Sequence, residues 1–223
     1  MNNPVKLTIM NKIFCVALLM LLSFGCTDDE QPREVSGPRP VSLTSHIENG
    51  LSQTKTFTYD AKGRLATLTK SGEVVSFSYE SNNQLRRIQS ASQTFYLYYD
   101  QDGKLLELYN VELSENAAFT YQGNNSYLVD GILIAFNENG DFRQFDDNEF
   151  GYSGGKGPFA NVKHLNMLGL YLADDRSLMY GAIARRQSIT IDGVSAGYNC
   201  DDAADVLPTS ETIGETQYSY TYE

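Results

Sequence analysis

A nine-residue unit recurs through the middle of the chain and limits what the chain can fold into. It reads FTYDAKGRL (57–65), FSYESNNQL (77–85), LYYDQDGKL (97–105) and, more loosely, IAFNENGDF (134–142). FTYQGNNSY (119–127) keeps the Phe-x-Tyr opening and loses the later spacing. Each unit places an apolar residue two before an aromatic: Phe57/Tyr59, Phe77/Tyr79, Leu97/Tyr99 and Ile134/Phe136. That period of two puts both on one face of a strand. An Asp, Glu or Asn follows (Asp60, Glu80, Asp100, Asn137), then Gly or Asn three residues later (Gly63, Asn83, Gly103, Gly140). The first side chain can accept a backbone hydrogen bond from two residues on, and the second residue tolerates positive φ. A new apolar residue, Leu65, Leu85, Leu105 or Phe142, starts a return strand. The 20-residue spacing of Tyr59, Tyr79 and Tyr99 fits two short strands and two turns. The expected fold is therefore all-β. It is an antiparallel meander of repeated hairpins (54–146), curved or closed into a barrel-like sheet.

The first 25 residues read as a signal rather than fold. Lys6 and Lys12 precede an apolar run at 13–24, shorter than the roughly 20 residues of a spanning helix and matching a secretory h-region. Met10-Asn11-Lys12 offers a second, more compact start. Ser23-Phe24-Gly25-Cys26 resembles a bacterial lipoprotein cleavage site, which implies lipid attachment at Cys26 and an outer-membrane anchor. Thr27, Asp28, Asp29 and Glu30 form an acidic cluster that resembles the surface-export signal of Bacteroidota lipoproteins. A solvated charged tether is the alternative, and it would leave the periplasmic face open. Residues 26–40, with Pro32, Pro38 and Pro40, read as that tether, and 41–223 as one domain. Removing residues 1–25 takes away two lysines and no acid, moving the net charge from −11 to −13. Nucleic acid, which needs clustered Lys and Arg, is excluded as a partner. Arg86-Arg87 and Arg185-Arg186 read as isolated, solvated pairs.

After residue 146 the pattern changes. GYSGGKGPF (151–159) lacks GxxxxGK[ST] and reads as a flexible connection, not a phosphate loop. Leu165, Leu168 and Leu172 have helical spacing, and a second weakly helical stretch covers 177–184. Together they form a short helical or loop insertion around 160–186 that caps the sheet. Ser188 to Ile191 reads as a strand entering a turn at Asp192-Gly193. Residues 205–223 read as a terminal hairpin, in which Tyr218, Tyr220 and Tyr222 alternate. Its last strand is expected to pair with a neighbour, the first strand being one candidate, and so to close the sheet.

The units resemble YD repeats, whose core is Tyr-Asp-x-x-Gly-Arg-Leu: 59–65 match literally, and 99–105 match with Lys for Arg. Large YD-repeat proteins build long shells, for which this stretch is short. The overall layout also resembles secreted Bacteroidota lipoproteins with an uncharacterised domain described as porin-like. The shared features are Gly157-Pro158-Phe159, the leucine-rich segment at 165–172, and Leu207-Pro208-Thr209 before a Tyr/Thr-rich end. That resemblance implies shape and no catalytic or binding residue. A bilayer barrel needs strands of about 9–11 residues, longer than those expected here.

Chemistry is sparse. HExxH, paired CxxC and GxSxG are absent. Once Cys15 and Cys26 are set aside, Cys200 stands alone, with only His46 and His164 as candidate bases; no catalytic residue is assigned. Asp100-x-Asp102-Gly103 is a turn rather than a calcium loop. Asp146-Asp147-Asn148-Glu149 and Asp201-Asp202-x-x-Asp205 read as solvated loops, so no metal or cofactor is expected. The leading function is a binding or interaction module with a glycan, peptide or outer-membrane protein as partner. A structural envelope component is the alternative, with a surface-polymer hydrolase using carboxylates such as Glu107 and Glu112 ranked last. Any site is expected in the irregular part, 151–205.

Overall fold

The computed structural model describes residues 37–47, 50–200 and 202–223. Two antiparallel sheets account for most of it. The first begins with β1 (Pro40–Ile47), β2 (Ser52–Tyr59), β3 (Leu65–Lys70) and β4 (Glu73–Tyr79). It continues through β5 (Leu85–Gln89), β6 (Thr94–Tyr99), β7 (Leu105–Asn110) and β8 (Glu115–Ala118). The chain changes sheet at Phe119. The second sheet runs through β9 (Thr120–Gly123), β10 (Ser126–Val129), β11 (Ile132–Phe136), β12 (Phe142–Phe145) and β13 (Asn148–Lys156). Two helices follow, α1 (Met167–Ala173) and α2 (Ser177–Tyr180), then β14 (Ala184–Ile191) and β15 (Val194–Ala196). Finally β16 (Tyr198–Asn199), β17 (Ser210–Ile213) and β18 (Thr216–Tyr222) return to the first sheet.

The expected meander is present, and so is the pairing of β18 with β1. That pairing does not close a barrel. The other side of β18 is already bonded to β17 of its own hairpin, so the eleven-stranded sheet runs on to β16 and ends at β8 on the other side. The second sheet has seven strands, with β15 and β9 at its edges. One buried core serves both sheets, drawing Phe57, Leu68, Ile88 and Leu97 from the first and Ile134, Phe142, Phe150 and Ile189 from the second.

Most letters of YDAKGRL have a structural task. Oδ1 of Asp60 accepts from the amides of Lys62 (2.9 Å) and Arg64 (3.0 Å). Asp100 and Asn137 repeat the arrangement in their own turns. Glu80 is one methylene too long, and Asn82 accepts from Gln84 in its place. Gly63, Asn83, Gly103 and Gly140 all have positive φ, the conformation that glycine and asparagine tolerate best. The tyrosine reaches backwards: the hydroxyl of Tyr79 donates to the carbonyl of Leu65, and that of Tyr99 to Leu85, each at 2.9 Å. Tyr59, Tyr152 and Tyr222 do the same to Pro40, Phe142 and Pro208. The arginine reaches forwards. Arg64 is held by Asp60 at 2.6 Å, lies 4.3 Å from the ring centroid of Tyr79, and donates to Oδ1 of Asn83 in the next turn. Arg39 over Tyr59 and Lys104 over Tyr121 extend this row of cation–ring contacts.

The second half both matches and departs from expectation. Helix α1 lies within the expected capping segment. Met167, Leu168 and Leu170 are buried, and a Cβ at Gly169 would collide with Leu85 on β5. Asn166 caps the helix by accepting from the amide of Gly169 at 2.8 Å. The Gly-rich stretch is not a flexible connection. Most of it is strand β13, and a Cβ at Gly157 would sit 2.6 Å from the carbonyl oxygens of Ala182 and Ala184. These glycines permit close backbone approach.

Arg185 and Arg186 are also corrected: they are 6% and 2% exposed. Arg185 donates to the carbonyls of Lys156, Asp202, Ala203 and Val206. Arg186 donates to Leu178, Met179 and Gly181, gathering the end of α2. Burial opposes the charge on Arg186, but the neighbouring Tyr152, Glu211 and Tyr220 outweigh it and favour the charged form. Arg86 and Arg87 remain half-exposed on β5.

Two stability outcomes follow from these contacts. Tyr79→Phe keeps the ring and removes the hydroxyl, so it should cost about 1 kcal/mol in urea unfolding. Tyr96→Phe should cost nothing measurable, and equal losses would remove the special role of the back-reaching hydroxyl. Arg186→Ala should cost at least about 3 kcal/mol, because it leaves several buried carbonyls without a donor. Arg87→Ala should stay within about 0.5 kcal/mol.

A candidate binding cleft at the turn-bearing rim

The turns that follow β6, β9 and β11 converge with the approach to α1 around a cleft of about 270 Å³. Its floor is Leu105, Met167 and Leu168, all buried. Its walls are Tyr99, Tyr127, Phe136 and Leu165, each half-buried. Its polar rim is Asn125, Asn137, Glu138 and Asn166, with Gly103 and Gly140 contributing bare backbone. The sequence places these residues here for turn reasons. Asn125 has φ +54° in the β9–β10 turn, and Asn137 occupies the position of the repeat's Asp.

The aromatic walls are anchored. Phe136 stacks on Phe142 at 5.1 Å between centroids, and Tyr127 meets Phe136 edge-on at 6.3 Å. Tyr127 also contacts Phe119 and Tyr121 edge-on. Burial pushes the hydroxyls of Tyr99 and Tyr127 above their ordinary range, so both stay protonated at neutral pH. The carboxylate of Glu138 is exposed and has no hydrogen-bond or ion-pair partner among the described residues. Among the described residues it is the only carboxylate lining the cleft. Two carboxyl groups across a scissile bond, as most glycoside hydrolases use, are not found there.

The residues singled out from sequence are scattered. Cys26, Thr27, Asp28, Asp29 and Glu30 lie outside the described residues. Cys200 is half-buried, and its sulfur accepts from Nη1 of Arg185 at 2.7 Å. Burial raises the thiol above its ordinary value despite a backbone hydrogen bond from Asp202 and the charge of Arg185, which opposes nucleophilic use. His46 bonds Ser52 on the neighbouring strand, and His164 precedes α1. Burial, then Arg64, Lys163 and Lys62, depress His164. Glu107 sits opposite Tyr98 and Ala118, whereas Glu112 accepts from the amide of Thr94 at 2.6 Å beyond the end of β7. Asp146 and Asp147 form the β12–β13 connection, whereas Asn148 and Glu149, read from sequence as part of the same loop, open strand β13. Asp202 accepts from the amide and hydroxyl of Thr209. Among the described residues, no group of three or more His, Cys, Asp or Glu could hold a metal ion.

A second charged cluster escaped the sequence. Asp174 accepts from the hydroxyl of Tyr180 at 2.7 Å and faces Nζ of Lys55 at 3.4 Å and of Lys70 at 3.8 Å. Lys55, Asp174 and Tyr180 are all buried. The cluster ties the helical insertion to β2 and β3. The cleft is only partly where the sequence pointed. Leu165 to Leu168 come from the irregular 151–205 part, but most of its lining comes from the repeats.

Asp60 and Asp202 give the pH dependence a sign. At Asp60 burial acts upward, but the Arg64 and Lys62 amides and the Arg64 guanidinium outweigh it and lower the carboxyl below 3.8. At Asp202 the amide of Thr209 acts first, in the same direction. Folded values below unfolded ones mean stability that is present above pH 3.8 and lost as pH falls through the depressed values. The urea midpoint should therefore decline below pH 3.8, and Asp60→Asn should flatten that decline.

A family model of the Teneurin YD-shell matches residues 42–152, from β1 into β13. This supports the likeness to YD repeats over that span. No curated protein matches the chain.

Proposed function

We propose that this chain is a ligand-binding module held on the outer membrane by lipid at Cys26 and displayed towards the exterior by the acidic cluster Thr27, Asp28, Asp29 and Glu30. The observation that carries the binding part is the cleft: half-buried aromatic walls over an apolar floor, rimmed by amides and one free carboxylate. Concave sites with apolar linings and a few convergent polar groups are the usual form of small-ligand sites. Membership of the Bacteroidota lipoprotein group is part of the same proposal and rests on the order of sequence motifs. No helix among the described residues is long and apolar enough to cross a membrane, so in this reading the lipid supplies the attachment.

A second reading, a structural component of an envelope complex, draws on a different surface. Tyr96 and Tyr109 pair across β6 and β7, and Arg86 lies 4.0 Å from the ring centroid of Tyr98. Tyrosine and arginine of this kind are enriched in protein interfaces.

Blocking the cleft separates the two readings. Glu138→Trp places a bulky side chain at the rim, where no side-chain hydrogen bond or ion pair with the described residues is lost. If the cleft is the binding site, material captured from native envelopes by the wild-type chain should be lost from this variant. Capture that persists with Glu138→Trp and disappears with Tyr98→Ala would favour the structural role instead. For the anchor, Cys26→Ala should abolish membrane association and processing. Protease added to intact cells should remove the protein, and survival there alongside digestion in lysed cells would refute exterior display.

A further inference from the structure

We propose that the cleft takes one uncharged sugar ring, presented as the end or branch of a glycan; the proposal rests on the cleft being a ligand site. Size sets the first limit. At about 270 Å³, the space falls just below the roughly 300–1,000 Å³ typical of sites for drug-sized ligands. It suits one ring rather than a run of several.

Charge sets the second limit. Among the described residues no Lys, Arg or His lines the cleft, one exposed carboxylate does, and the chain as a whole carries −11. A phosphate, sulfate or uronate would meet no countercharge and an unfavourable field.

Hydrogen-bond polarity then separates a neutral ring from an organic cation. Aromatic walls and a carboxylate would by themselves suit an ammonium group. The amides at the rim do not. Oδ1 of Asn137 is held by the amides of Asn139 and Asp141, and Oδ1 of Asn166 by the amide of Gly169. These bonds fix which way each side chain faces, so each contributes its nitrogen and not its oxygen. The remaining contacts of those nitrogens are long, 3.5 Å to Asp141 and 3.4 Å to the hydroxyl of Tyr99, and leave donor capacity unused. An ammonium group has no lone pair for them. A sugar hydroxyl accepts from an amide and donates to a carboxylate at once, and the ring's apolar face lies against Tyr127 or Phe136.

The test titrates the full chain, labelled at its tyrosine and phenylalanine rings, with neutral methyl glycosides, and in parallel with glucuronate and choline. At least one neutral glycoside should shift the Tyr127 and Phe136 ring resonances saturably in the millimolar range, with glucuronate and choline weaker. Glu138→Ala should weaken that glycoside at least about fivefold without lowering the thermal midpoint, while Glu149→Ala, on β13, leaves the affinity unchanged. Saturable shifts from choline or glucuronate with none from a neutral glycoside would overturn the sugar assignment and keep the cleft as a ligand site. Resonances unmoved by every probe would overturn both. A bound glycoside indifferent to Glu138→Ala would overturn the placement at this rim.

Discussion

The hydrogen bond from a tyrosine hydroxyl back to the carbonyl that opens the previous return strand organises the repeat region. Tyr79 to Leu65 and Tyr99 to Leu85 are its clearest instances, and Tyr59, Tyr152 and Tyr222 reach their acceptors in the same manner. Each bond contributes only about 1 kcal/mol net, far less than burial of the adjoining core. Its importance is geometric. A strand ladder fixes neighbours along the hydrogen-bonding direction, but the hydroxyl fixes how far one hairpin's turn sits from the next. The ring must also lie on the core face for its hydroxyl to reach the rim, which selects the side of the sheet that becomes interior. Arg64 repeats the constraint in the forward direction, from Asp60 to Tyr79 and Asn83.

This explains what could be read from the sequence. Hairpins, turn residues and the aromatic face depend on residues within one unit or one unit apart, so their spacing is visible. The terminal hairpin and α1 were legible for the same reason. The split into two sheets was not, because it depends on Phe119, whose amide bonds the carbonyl of Leu106 and whose ring is buried. The burial of Arg185 was hidden too. Apart from the Cys200 sulfur, its acceptors are carbonyls from Lys156 and from residues 202–206, and a carbonyl has no side-chain signature. GYSGGKGPF misled in the opposite direction: glycines permit flexibility in isolation, and here they admit neighbouring backbone.

The cleft was partly legible. Its aromatics were recognised as a sheet face, but the gap between turns depends on how two sheets approach each other. Most turn side chains at the rim are committed to their own backbone, as Asp60 and Asp100 are. Glu138 occupies a turn position that the turn does not need, so its carboxylate remains unpaired among the described residues. The fixed amide of Asn137 is a by-product of turn formation, since its oxygen holds the amides of Asn139 and Asp141 and its nitrogen keeps only a long contact to the Asp141 carboxylate.

The cleft therefore forms where the repeat departs from its own rule. In the fourth unit Phe136 stands where the others have tyrosine, and it has no hydroxyl with which to reach back. In the stretch 119–127 the Tyr-Asp-x-x-Gly spacing is broken, and Tyr127 meets Phe119, Tyr121 and Phe136 through ring edges. The regular units close their turns against one another through hydroxyl and guanidinium contacts, leaving little room between them. At Phe136 the back-reaching contact is missing, and the cleft opens between that turn and the regular third unit, which contributes Tyr99, Gly103 and Leu105. A repeat that specifies architecture so tightly has little freedom for recognition, so its irregular members are where a ligand can be met.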